Sequence, residues 1–140
     1  MEEIDVNQMS PLTWAYMGDC IYEKYVREYL VTSTKYKPHK LHIEATKLVK
    51  ASAQAHILQE LENELSDDEK EIVRRARNTE NHHLPKNATV QEYMYATAFE
   101  GLIGYLYLTN QKERLEEILK KSLDIKKEWF RNGAKTSHFS

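Results

Sequence analysis

The sequence predicts an all-α helical bundle on two observations. Apolar residues recur at helical spacing with few alternating β-branched runs, and three helix-start signals divide the chain: Ser10-Pro11, Ser66-Asp-Asp-Glu69 and Thr89-Val-Gln-Glu92. Ser10 is an N-cap followed by proline at the first helical position, which opens a helix to about Tyr29. Pro38 opens a second helical region to about Leu65, broken near Lys50–Ala51. The other two signals match the capping-box pattern and begin helices that run to about Asn78 and Leu108. A last amphipathic helix fills Gln111 to Phe130, and residues 131–140 read as a loose tail. No internal repeat or low-complexity segment is visible, and 140 residues suit one domain over 1–140.

Composition narrows the setting. No long apolar run or signal peptide appears and the N-terminus is acidic, so the expectation is a cytoplasmic chain with no membrane partner. The lone Cys20 excludes an internal disulfide and reads as a small buried hydrophobe. The net charge of −2 excludes a polycation that coats nucleic acid, but the charge is segregated. Residues 74–88 sum to +3 and residues 60–71 to −6, while 35–50 and 120–135 each reach +4. The acidic run reads as a solvated helix face. The long loop from Thr79 to Ala88 follows a basic helix end and carries Asn, His and Lys donors, which suits contact with phosphate.

Asp19 and Glu100 carry the chemistry. Each is a lone carboxylate beside a glycine in an apolar, tyrosine-rich helical stretch, and three of the four glycines, Gly18, Gly101 and Gly104, fall there. Glycine inside a helix costs about 1 kcal/mol relative to alanine, and a close crossing of two helices offsets that. Such a crossing brings the two carboxylates together, and a buried pair of like charges is stable chiefly with a cation between them. Oxygen-only ligands suit Mg²⁺ or Mn²⁺. Neither residue has a cation at i+3 or i+4, whereas Glu23 has Arg27 and reads as an ordinary ion pair. The histidines His39, His42, His82 and His83 lack the company that zinc requires.

With these residues in view, Met17-Gly-Asp-Cys-Ile-Tyr-Glu23 resembles the signature of the ribonuclease III family, whose Leu-Gly-Asp-Ala core supplies a metal-binding aspartate. Ala98-Phe-Glu-Gly-Leu-Ile-Gly-Tyr-Leu-Tyr107 resembles its second catalytic segment. The resemblance is strongest to the short bacterial branch, Mini-ribonuclease III. It extends through Lys37-Pro-His-Lys-Leu-His42, Arg75-Ala-Arg-Asn78 and Pro85-Lys-Asn87, and covers about Leu12 to Leu119. Full-length ribonuclease III has glutamates where Leu12 and Ala15 stand and an aspartate at the position of Thr97, so only Asp19 and Glu100 carry over and the number of metal ions stays open. No double-stranded-RNA-binding domain follows in these 140 residues.

The resemblance implies an all-α homodimer that cleaves double-stranded RNA with Mg²⁺ or Mn²⁺ held by Asp19 and Glu100. It implies the stem of precursor 23S ribosomal RNA as substrate. Arg74, Arg75, Arg77, Asn78, Lys86 and Asn87 are the expected RNA contacts, and the helix around Trp14, Tyr16 and Tyr22 the expected apolar interface between protomers. The alternative is a ribonuclease III-like scaffold for ribosome assembly that binds double-stranded RNA without cutting it.

Overall fold

The computed structural model describes residues 3–79 and 88–133. Among these the structure is helical, without strands: α1 (Glu3–Gln8), α2 (Pro11–Ser33), α3 (Pro38–Val49), α4 (Ala51–Leu61), α5 (Asp67–Arg77), α6 (Val90–Leu108) and α7 (Lys112–Arg131), with a 3₁₀ turn at Glu62–Glu64. The expected starts are present. Ser10 accepts from the Leu12 N–H at 3.2 Å, and Ser66 and Thr89 each close a full capping box. The break near residue 50 falls on Lys50, whose extended backbone separates α3 from α4. α2 runs a turn past its expected end, to Ser33, where Thr34 bonds back to the Leu30 carbonyl through both N–H and hydroxyl. The short α1 was not expected. It is held by long-range contacts: buried Val6 accepts the Trp14 indole N–H at 2.8 Å, and Tyr105 donates to the Asn7 amide oxygen at 2.8 Å.

α6 is the central helix. It is buried from Ala96 to Gly104 except at Glu100, and packs against α2, α4 and α5. A helix covered on all sides needs no polar face, which is why Tyr95 to Leu108 reads as nearly continuous apolar sequence. Tyr22 of α2 meets Phe99 edge-on at 5.0 Å, and its hydroxyl, pushed above the usual phenol range by burial, donates to the Leu48 carbonyl at 2.9 Å. That bond ties the end of α3 to α2.

Three sequence expectations need correction. Cys20 is exposed, because it lies on the outer face of α2 rather than against α6. The acidic run is only partly solvated. Glu69 is buried, held well below the usual carboxylate range by a two-pronged hydrogen bond from Arg114 at 2.8 Å each, and Arg114 also donates to the Glu64 carbonyl, so this pair fastens α7 to the start of α5. Trp14 and Tyr22 are fully buried within the chain, which removes them from any interface and leaves Tyr16, 81% exposed.

Lys50, where α3 meets α4, and Lys126 bring charges from two of the basic segments near each other. Lys126 of α7 is buried there with its ammonium 3.6 Å from the centre of the Trp129 ring; burial and the nearby Lys50 charge pull it down to about 8. The aromatic face compensates the buried cation.

Candidate active site

The glycines do what their spacing predicts. A Cβ on Gly18 would lie 1.8 Å from the Glu100 carbonyl oxygen, and one on Gly104 would lie 1.8 Å from that of Trp14. α2 and α6 therefore cross backbone to backbone. Gly101 serves a different contact: its Cβ would meet the Ala76 Cβ at 2.7 Å, so it admits α5 against α6.

The crossing brings Asp19 and Glu100 together, close enough to share a hydrogen bond when Glu100 is protonated. Burial first, then the Asp19 charge, pushes the Glu100 carboxyl up to about 8. The Glu23 charge adds to the rise, while a hydrogen bond from Gln54 opposes it. Glu100 is half-buried, but Asp19 is exposed, so the pair opens to the surface at Asp19 rather than lying in the buried setting the sequence suggests. Tyr16, Met17, Cys20, Glu23, Lys24 and Arg27 line a surface depression with Asp19. Among the described residues neither Asp19 nor Glu100 pairs with a Lys or Arg, whereas Glu23 meets Arg27 at 3.2 Å as expected. Ala15 and Thr97, at positions acidic in full-length ribonuclease III, are both buried.

Sequence reasoning missed Gln54. It is 3% exposed on α4, and its Nε2 donates to the Val49 carbonyl at 2.7 Å and to Glu100 Oε2 at 3.1 Å, while its Oε1 is buried without a partner. Gln54 set between alanines in Ala51-Ser-Ala-Gln-Ala55 was the available signal.

The donors fit a hard cation. Two carboxylates without a compensating side-chain cation attract a divalent ion, and Mg²⁺ keeps several of its waters when few protein ligands are present. Among the described residues no group of three or more His, Cys, Asp or Glu could hold a metal ion.

The expected RNA contacts fall into two groups. Arg74, Arg75, Arg77 and Asn78 lie at the end of α5, beside Ala76, which touches α6 at Gly101, the neighbour of Glu100. Arg74 is exposed and held by Glu71 at 2.8 and 2.6 Å. Arg75 donates to the Asn7 carbonyl at 3.1 Å and stacks over Trp14, so it fastens α1 to the body. The Arg77 guanidinium lies 5.8 Å from the centre of the Tyr95 ring, and Asn78 is exposed at the helix end. Lys86 and Asn87 lie outside the described residues. Among the described residues no helix is long and apolar enough to cross a membrane.

Comparison with known proteins gives this arrangement relatives. A family model described as "Ribonuclease III domain" matches residues 12–111. The chain is 49% identical over 117 residues to a Mini-ribonuclease 3 of Enterococcus faecalis, covering 82% of this chain and 89% of that protein. It is 42% identical over 129 residues to a Mini-ribonuclease 3 of Clostridium tetani, covering 91% and 85%. A crystal structure of a Fusobacterium nucleatum protein superposes with a TM-score of 0.77 at 33% identity, covering 89% of this chain and 98% of that one.

Proposed function

From the premise that the chain belongs to the ribonuclease III family, we propose that Asp19 and Glu100 are the catalytic, metal-binding carboxylates with which this endoribonuclease cuts double-stranded RNA. The observation that carries the reading is the juxtaposition itself. Residues from helices far apart in sequence meet at a crossing that only glycines allow, without a side-chain cation between them. Families of this kind use a divalent ion; when bound, it supplies positive charge to the phosphodiester and favours deprotonation of the attacking water. The chain's own part is to hold two carboxylates side by side, with Asp19 in an open depression that a duplex can approach. The ion is Mg²⁺, with Mn²⁺ able to replace it.

The finer reading is one catalytic domain, cytoplasmic, acting as a homodimer on the stem of precursor 23S ribosomal RNA. A two-fold dimer matches the antiparallel strands of a duplex, one site to each strand. Of the aromatic residues expected at such an interface, Tyr16 is the exposed one, beside the Asp19 depression. Incubation with a long RNA duplex tests the function: cleavage that requires Mg²⁺ and stops with chelator supports it, and an intact duplex at saturating protein and metal refutes it. Light scattering that gives only the 16.5 kDa monomer at micromolar concentration refutes the dimer.

RNA grip is expected to reside in the end of α5 with the residues from 79 to 88 that follow it. Double-stranded RNA is recognised mainly by shape, through phosphates and 2′-hydroxyls. Contacts to about 6–10 phosphates imply a loss of roughly 10³–10⁵ in affinity between 50 and 200 mM salt. Alanine at Arg77 and Lys86 is expected to flatten that slope by up to about one unit for each phosphate no longer neutralised, with cleavage at saturating RNA largely intact. Filter binding across a salt series reads the slope; unchanged binding with abolished turnover would move these residues into the catalytic machinery.

A further inference from the structure

Gln54 is a buried amide with one oxygen left over. Its orientation is fixed chemically, because both neighbours of Nε2, the Val49 carbonyl and the Glu100 carboxylate, are acceptors. Both amide hydrogens are therefore engaged, and Oε1 faces the interior without a donor. Leaving a buried acceptor unpaired is unfavourable, and an apolar side chain of similar length would avoid it. The Val49 bond gives one amide hydrogen a structural use at the end of α3, but packing gives no reason for the second, which goes to Glu100.

The reason lies at Glu100. The Lys50 break ends α3 at Val49, and α4 starts at once, which sets the Val49 carbonyl against the Gln54 amide. The amide is thereby anchored at one hydrogen and presents the other to Glu100 Oε2. A lysine or arginine in its place would neutralise the carboxylate pair and compete with a divalent ion for it. A neutral donor orients Glu100 and leaves the charge of the pair intact.

We propose that Gln54 is the positioning residue for Glu100, holding its carboxylate in the orientation that takes up the divalent ion. The inference rests on the assignment of Asp19 and Glu100 as metal ligands. Outer-shell partners of this kind change metal affinity or activity by roughly 10–100-fold when removed.

The test uses the full chain with Gln54→Met, closest in length, and Gln54→Ala, which leaves space for water, each shown to be folded by its melting transition. Mn²⁺ binding is measured by calorimetry without RNA, and cleavage of a long duplex is followed against Mg²⁺ concentration. The expected result is weaker Mn²⁺ binding and a half-maximal Mg²⁺ requirement raised by roughly 10–100-fold, with the KM for RNA unchanged at saturating metal. Wild-type Mn²⁺ affinity in both folded variants overturns the proposal, as does an effect confined to the KM for RNA. Failure of both to fold also overturns it, since that makes Gln54 a core residue. Glu100→Gln run alongside separates the two levels of inference. If it binds Mn²⁺ and cleaves normally, the site assignment has failed; if it is inactive while the Gln54 variants are normal, only the positioning role has.

Discussion

Asp19→Asn and Glu100→Gln are each expected to cut the rate of duplex cleavage by roughly 10³-fold or more while the protein stays folded. At about 1.4 kcal/mol per tenfold, that corresponds to several kcal/mol of transition-state stabilisation. Either amide keeps the shape of the side chain and removes one of the two negative charges that attract the ion. Stability should move the other way for Glu100. Its carboxyl is raised from 4.5 to about 8 in the fold, so between those values the folded state binds more protons than the unfolded chain. Without metal, stability therefore falls as pH rises through this window, and Glu100→Gln should abolish that decline. Single-turnover cleavage and melting across pH 4.5–8 measure the two effects. Near-wild-type cleavage by either variant would sink the assignment.

What the sequence revealed was local. Capping boxes concern residues within a few positions of one another and located the α5 and α6 starts, and the glycines, readable one helix at a time, marked where α2 and α6 cross. What it concealed depended on which face of a helix finds a partner. Cys20 and Tyr16 share an apolar-looking stretch with Trp14 and Tyr22, yet only the latter two point inward. Gln54 lies 46 residues from Glu100, Arg114 lies 45 from Glu69, and Lys126 shares no local pattern with Lys50. No periodicity within α4 or α7 encodes those meetings, because each is set by how α6 is surrounded. The same holds for α1, whose six residues are too few to be helical without the Trp14 and Tyr105 bonds.

Gly18→Ala is expected to be among the most destabilising single substitutions in the chain. Alanine gains about 1 kcal/mol in helix propensity over glycine, so an exposed helical glycine would be improved by it. Here the new Cβ would stand 1.8 Å from the Glu100 carbonyl oxygen and 2.9 Å from the Gly104 nitrogen, both backbone atoms. No rotamer change relieves a contact with backbone, so α2 and α6 must separate along the crossing. Overpacking commonly costs about 1–3 kcal/mol, and this case belongs at or beyond the upper end. Gly104→Ala should behave alike, with its Cβ 1.8 Å from the Trp14 carbonyl. Gly101→Ala supplies the contrast: its nearest obstacle is the Ala76 Cβ at 2.7 Å, a single methyl. Its cost should be smaller and partly recovered by adding Ala76→Gly, a rescue that Gly18 lacks because no side chain can be trimmed. Denaturant midpoints rank the three. Cleavage should fall in the Gly18 variant even under conditions where it is folded, since separating the helices separates Asp19 from Glu100. A Gly18→Ala protein as stable and active as wild type would mean that the two helices do not cross at the distance on which the site depends.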